Sequence, residues 1–207
     1  MLRAVLIGCG KIGSSFADDP KIDGVYAHAH AYAECEGVQL VGVCDADPHT
    51  AAQCGQRWQV SVVYTDYVRM LHELQPDIVS VCTPDASHLD VLQAVLQTDS
   101  VKGILAEKPL AASLDGAEQV VSLARARDVR LAVNYSRRYA LSHQKLREQL
   151  PGRLGEIQSV NGFYTKGLLH NGTHWLDLLR FLCGPLQLLG CYPGLSPFDG
   201  DLPGDSS

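Results

Sequence analysis

Two histidines four residues apart, His170 and His174, stand in the stretch GLLHNGTHWLDLLRFLCG. That spacing is open to metal ligation, to acid–base chemistry or to helix capping. A zincin-type metal site needs both histidines on one helix with a glutamate between them, and no glutamate is there. Gly172 sets the helix start near Thr173, which leaves His170 on the preceding loop. Metal is therefore the weakest of the three readings. A lysine and an acidic neighbour occur in AEKPLA, as Glu107 and Lys108. They follow a strand pattern directly, and open α/β sheets place ligands at the carboxyl ends of their strands. A cationic neighbour makes a lysine give up its proton more readily; by itself a lysine before a proline is an ordinary solvated loop residue.

The third chemistry-bearing stretch is GCGKIG, residues Gly8, Cys9, Gly10, Lys11, Ile12 and Gly13, directly after the strand pattern AVLIG. It matches G-x-G-x-x-G in the context that gives this motif meaning. Gly8 permits a tight turn, Gly10 lets a pyrophosphate approach the backbone, and Gly13 lets helix pack on strand. The amides of the following helix would hold the phosphates. The partner acid should close the second strand, and Asp45 does so in VGVCDAD. It lies 32 residues beyond Gly13, against a usual spacing of about 20. The surplus is SFADDPKIDGVYAHAH, a polar insertion interrupting the first helix, and loop insertions cost little. Asp45 would accept hydrogen bonds from a ribose diol and repel a 2′-phosphate, favouring NAD over NADP; the plainer alternative is an acid in a strand-end turn. His28 and His30 sit within the insertion with no thiol or carboxylate at ligand spacing, and read as solvated loop histidines.

The elements needed to position these residues are legible. AVLIG, QLVGVCDAD, DIVSVCTP, GILAEKP and VRLAVNY read as buried strands. Between them lie the helical stretches HTAAQCGQRW, DYVRMLHEL, HLDVLQAVLQT and LDGAEQVVSLARARD. Continuous apolar strands alternating with helices imply a parallel sheet covered on both faces, a doubly wound α/β fold. TPDASH places Thr83 and Pro84 at a strand end and His88 at the next helix start, with Ser87 or Asp85 as its N-cap. After Tyr135 the texture changes. SRRYALSHQKLREQLPGRLGE reads as a helix stopped by Pro151-Gly152, IQSVNGFYTKG as a half-buried strand, the histidine stretch as a helix ended by Gly184-Pro185, and LQLLGCYPG as a further strand. The division is residues 1–134, a dinucleotide-binding domain, and 135–207, an incomplete α+β domain. Two strands make a poor sheet, so the chain reads as stopping inside a domain.

Bulk properties narrow the functional classes. The chain has 207 residues, 46% of them hydrophobic and 19% charged, with a formal net charge of -6. That suits a packed core and disfavours nucleic acid or an anionic membrane surface as partner. No apolar run is long enough to span a bilayer, and the N-terminus enters a strand pattern too early for a signal peptide. Seven cysteines without a CxxC pair read as reduced, packed thiols of a cytoplasmic protein.

Taken together, VLIGCGKIG, VCDADP, VCTPDASHLDVL, AEKPLA, VNYSRRY, LGEI and HNGTHWLDLLRFLCG resemble the glucose-fructose oxidoreductase/inositol dehydrogenase (Gfo/Idh/MocA) family, over essentially the whole chain to about Pro185. The resemblance implies a Rossmann domain followed by an open, mainly antiparallel α/β domain, and NAD(P)-dependent oxidation or reduction of a sugar, a cyclitol or a nucleotide-linked sugar. It implies a cis bond before Pro109, catalysis by Lys108, and cofactor contacts from the glycine loop, Asp45, Thr83, Pro84, His88 and Glu107. His174 matches the family's histidine and becomes the candidate general base, with Asp177 one turn on to orient its ring. The acid that the family places four residues earlier is replaced by His170, which is left for substrate contact. Asn134 and Arg138, with Arg137 beside them, lie at the domain junction as candidate substrate-pocket residues; a solvated face is the alternative. Such proteins usually exceed 300 residues, so most of the second sheet should be absent, and an unpaired edge would invite a homo-oligomer through that sheet. An NAD-dependent glycosidase on the same scaffold and a catalytically silent nucleotide-binding protein stay open as alternatives.

Overall fold

The computed structural model describes residues 1–21, 24–153, 155–165 and 167–190, and for Leu169 and His170 the backbone alone. The chain divides into two units, the first Met1–Asn134 and the second beginning at Tyr135.

The first unit is built on six parallel strands: β1 (Leu2–Ile7), β2 (Val38–Cys44), β3 (Val63–Tyr64), β4 (Ile78–Val81), β5 (Gly103–Ala106) and β6 (Arg130–Val133). Their spatial order is β3-β2-β1-β4-β5-β6, and every neighbouring pair is parallel. The chain runs outward from β1 to one edge, then returns to lay β4 against the other side of β1. A crevice opens where the order reverses, at the carboxyl ends of β1 and β4. The alternating pattern of small strands and helices dictates this. Ala4, Val5, Leu6 and Ile7 are all buried, which only a strand covered on both faces allows. One face packs Val5, Ile7, Val79 and Val81 against Met70, Leu92 and Val120; the other packs Leu6 and Val43 against Ala29, Cys54 and Val60. Each such buried aliphatic side chain stabilises the fold by about 1.5–3 kcal/mol. β3 was not legible in the sequence, because two residues carry no periodicity.

Five helices cover this sheet: α1 (His28–Glu34), α2 (Pro48–Trp58), α3 (Tyr67–Leu74), α4 (Asp85–Leu96) and α5 (Leu114–Ala126). Asp47, Asp66 and Ser113 cap α2, α3 and α5 by accepting from backbone N–H groups of their first turns, as these residue types do. The expected side-chain cap of α4 is absent. Pro84 holds the cap position, and the Ser87 hydroxyl donates to the Pro84 carbonyl instead.

The polar insertion turns out to be an excursion from a helix whose bonding it does not break. His28 N–H donates to the Ile12 carbonyl at 3.0 Å and Ala29 N–H to that of Gly13 at 2.9 Å. In an unbroken helix the acceptor lies four residues back; here it lies sixteen back, so twelve residues are looped out. Without those twelve, the 32-residue interval from Gly13 to Asp45 falls to the usual spacing of about 20. This overturns the expectation for His28 and His30. Both lie on α1, His28 is only 3% exposed, and His30 stacks on the Trp58 ring at 5.4 Å.

The second unit contains α6 (Leu141–Arg153) and α7 (Thr173–Cys183), with a 3-10 turn at Ser136–Tyr139 and a π turn at Leu168–Gly172. Three expectations are corrected. The helix after Tyr135 begins only at Leu141, after the separate turn, and runs past Pro151 to Arg153. The described part of IQSVNGFYTKG, residues 157–165 and 167, forms no strand: a strand exists by pairing, none of the described residues pairs with it, and Ile157, Val160, Phe163 and Tyr164 are exposed. The expected antiparallel sheet is accordingly absent among the described residues. LQLLGCYPG is without strand structure through Gly190, and its remainder lies outside the described residues. No described helix is long and apolar enough to cross a membrane.

Candidate cofactor and catalytic site

The glycine loop leaves β1 at the crevice, and its three glycines differ in what surrounds them. A Cβ on Gly8, whose φ is +92°, would fall 2.5 Å from the Cys82 carbonyl carbon at the end of β4; one on Gly13 would fall 2.1 Å from the Gly8 carbonyl oxygen. Both are sterically obligatory. A Cβ on Gly10 would meet nothing within 4 Å. The backbone there faces open space, and Lys11 beside it is exposed. Cys9 is buried, and its hydrogen bond with Cys54 and its burial raise the thiol far above the ordinary range. It packs as a small protonated group, not as a nucleophile. Ile12 supplies the carbonyl that receives α1.

Asp45 closes β2 beneath this loop. Its Oδ2 accepts from Cys9 N–H at 2.7 Å and its Oδ1 from Asp47 N–H at 3.0 Å, so the carboxylate ties the loop to the strand end. Thr83 follows β4 on the other side of the crevice, and its Oγ1 is buried without a partner among the described residues. A buried hydroxyl is rarely left unpaired. An open backbone face at Gly10 and an unpaired hydroxyl at Thr83, both at the reversal point of the sheet, fit a dinucleotide laid across the carboxyl ends of β1 and β4. Pro84, next in the chain, is exposed.

The Glu107-Lys108-Pro109 turn follows β5. The bond before Pro109 is cis, and Lys108 is half-buried. Glu107 commits both carboxylate oxygens to protein donors. Oε1 accepts from His28 Nε2 at 3.0 Å and from Asn134 Nδ2 at 2.6 Å, and Oε2 from Lys108 N–H at 3.3 Å. Burial alone would raise this carboxyl; the hydrogen bonds from His28 and Asn134 outweigh it and hold the group below its ordinary range. Asn134, a candidate substrate residue by sequence, thus bonds to Glu107. His88 is fully buried, and its Nδ1 donates to the Pro109 carbonyl at 2.8 Å. A carbonyl only accepts, so the proton is on Nδ1, and Nε2 has no partner among the described residues. His28, which the sequence reading set aside, is the residue it missed. The available signal was the helix register, since HAHAYAE continues the helix of the glycine loop once the insertion is subtracted.

In the second unit, Arg138 holds Asp177 by three hydrogen bonds of 2.6 to 2.9 Å and lies over the Phe181 ring, 5.4 Å from its centroid. Of the Arg pair, Arg138 is thus ion-paired, while Arg137 is exposed. His174 stands edge-on to the Tyr135 ring at 5.8 Å, and burial, with Asp177 next, raises the Tyr135 hydroxyl. The backbone of His170 lies in the π turn, and its side chain is outside the described residues. Arg137 helps line a cavity of about 250 Å³ with Phe163, Tyr164, Thr165, Asn171 and Trp175. No cluster of metal-ligating side chains occurs among the described residues.

With this geometry in view, residues 2–135 match the oxidoreductase family with an NAD-binding Rossmann fold. The chain is 31% identical over 203 residues to D-glucoside 3-dehydrogenase of Escherichia coli (strain K12), covering 91% of this chain and 54% of that protein. It is 25% identical over 198 residues to inositol 2-dehydrogenase of Rhizobium meliloti (strain 1021), covering 88% and 55%. Among solved structures, the WlbA dehydrogenase from Bordetella pertussis in complex with NADH and UDP-GlcNAcA superposes with a TM-score of 0.72 at 23% identity, over 89% of this chain and 59% of that one. This last likeness is one of fold. The chain spans about half the length of the curated relatives it matches.

Proposed function

The chain belongs to the Gfo/Idh/MocA oxidoreductases, the family with an NAD-binding Rossmann fold, and from that premise we propose that it acts as an NAD-dependent oxidoreductase on a hydroxyl or carbonyl of a sugar, a cyclitol or a nucleotide-linked sugar. The observation that carries the cofactor half of this reading is the open backbone face at Gly10 beside the unpaired Thr83 hydroxyl. The substrate half is supported by relatives that oxidise a D-glucoside and an inositol by name.

The proposed roles follow from where each group stands in its unit. The glycine-loop amides from Gly10 onward and the Lys11 side chain take a pyrophosphate. The Asp45 carboxylate, already anchored by Cys9 and Asp47 N–H groups, has further lone pairs for a ribose diol and would repel a 2′-phosphate, which favours NAD over NADP. Thr83, with Pro84 beside it, takes the nicotinamide-side ribose. A bound nicotinamide supplies the hydride acceptor or donor. Lys108 donates to the substrate oxygen, and His174 serves as general base for the hydroxyl proton. Asp177 serves this base as a positioning group through the Arg138 ion pair, which fixes the face of α7 that carries it. His88 and Glu107 are assigned to holding the Lys108 turn, the task their hydrogen bonds already perform.

The test is direct. The chain is incubated with NAD and a panel of D-glucosides and inositols, and NADH absorbance is followed. The proposal expects turnover with at least one member of the panel and its loss in Lys108→Ala. Full turnover in the alanine variant would overturn the role of Lys108.

A further inference from the structure

The first unit holds a buried polar chain that ends at the Lys108 turn, and the roles proposed above leave three of its members, Tyr32, Ser80 and His28, without a task. Tyr32 OH bonds to Ser80 Oγ at 2.8 Å, Ser80 Oγ to His28 Nδ1 at 3.0 Å, and His28 Nε2 to Glu107 Oε1 at 3.0 Å. Ser80 is fully buried, His28 is 3% exposed, and the Glu107 side chain is 12% exposed. The members come from α1, from the middle of β4 and from the end of β5, so the chain crosses the carboxyl-end region of the sheet. It stops at the carboxylate whose other oxygen accepts the backbone N–H of Lys108.

A buried polar group is costly unless it is paired, and a network of this kind fixes one arrangement when every member is satisfied. Here the satisfaction has a direction. A carboxylate only accepts, so His28 presents Nε2–H to Glu107. With Asn134 on the same oxygen, the carboxylate cannot rotate without losing two charge-assisted hydrogen bonds, which are roughly twice as strong as neutral ones. Oε2 is thereby aimed at the Lys108 amide. On the far side of the same residue, His88 Nδ1 fixes the Pro109 carbonyl. The Lys108 N–H and, one peptide beyond Lys108, the Pro109 carbonyl are each held by a histidine from a different helix, the carbonyl directly by His88 and the N–H through Glu107 by His28.

We propose that His28 is a positioning residue for Lys108, acting through the Glu107 carboxylate. This rests on the reading of Lys108 as the group that meets the substrate oxygen. The looped-out insertion returns the chain at His28 in helix register, and so delivers this side chain to the network despite twelve extra residues.

Two substitutions separate positioning from bulk stability. Glutamine reaches about as far as the imidazole Nε2, and asparagine only as far as Nδ1. His28→Gln therefore keeps a donor to Glu107, whereas His28→Asn keeps the Ser80 partner and loses Glu107. Amide hydrogen exchange is measured on the 207-residue chain and both variants. In His28→Asn the Lys108 amide should exchange at least about tenfold faster, with the Val5 and Val79 amides within about twofold of wild type, and His28→Gln should restore Lys108 to within about threefold. An unchanged Lys108 amide in His28→Asn, or one that rises in parallel with the sheet amides, overturns the proposal. Should the asparagine variant fail to fold, the wild-type ring decides: its nitrogen shifts must show Nε2 protonated, and a neutral ring protonated on Nδ1 alone contradicts the arrangement. NADH titration of the wild type tests the parent reading separately. A chain that binds no NADH yet shows these exchange rates loses the cofactor reading and keeps the clamp on Lys108.

Discussion

At the scale of single residues, the three glycines of the loop make opposite predictions. A methyl on Gly13 has no room, so Gly13→Ala should cost about 1–3 kcal/mol of unfolding free energy in a urea titration. A methyl on Gly10 meets nothing, so Gly10→Ala should leave stability within about 0.5 kcal/mol while abolishing NADH binding. Gly10→Ala binding NADH as wild type does would remove the pyrophosphate from that face. The sequence motif already assigned Gly8 and Gly13 to the turn and the packing and Gly10 to the ligand, and their surroundings divide the same way: two have no room for a Cβ and one has open space. Glu107 makes a pH prediction. Its carboxyl is held below the ordinary 4.5, so its stabilisation is complete above that value and is lost as pH falls through the lower folded-state value. Glu107→Gln should therefore cost about 1.5–3 kcal/mol near neutral pH, and the gap from wild type should close in acid denaturation below about pH 4.5. A gap independent of pH would show that the carboxylate charge is not what the pocket holds.

At the scale of elements, the insertion is the informative case. The helix bonding of His28 and Ala29 to Ile12 and Gly13 predicts that deleting residues 15–26 leaves a continuous helix. Stability should change by no more than about 1 kcal/mol, since loop closure depends weakly on length, which is a Tm shift of about 2–4 °C for a chain of this size. Loss of cooperative unfolding in a thermal melt would contradict the register. The same excursion explains what sequence reading missed. Its Pro, Gly and Asp residues signal loop, and that signal spread to His28 and His30, which belong to α1. Where periodicity was strong, as in α2, α4, α5 and the five longer strands, the elements and their order were legible. β3 was not, being two residues long. The expected strand at IQSVNGFYTKG failed for a different reason: alternation describes a strand's faces, while the strand itself requires a partner, and the described residues provide none.

At the scale of the whole molecule, we propose that the first unit assembles an NAD site from four separated stretches: the glycine loop, Asp45, Thr83 and the Lys108 turn. Family resemblance could name these stretches in advance. It could not show that Glu107 turns inward to His28 and Asn134, or that Arg138 is paired with Asp177, because side-chain partners across 27 to 79 residues of sequence leave no local trace. The measurement that tests the claim most directly is a titration of the 207-residue chain with NADH and NADPH, followed by nicotinamide fluorescence. The account predicts saturable NADH binding, with NADPH weaker by at least about tenfold, or 1.4 kcal/mol, because Asp45 repels the 2′-phosphate. A folded chain that binds neither nucleotide would contradict it.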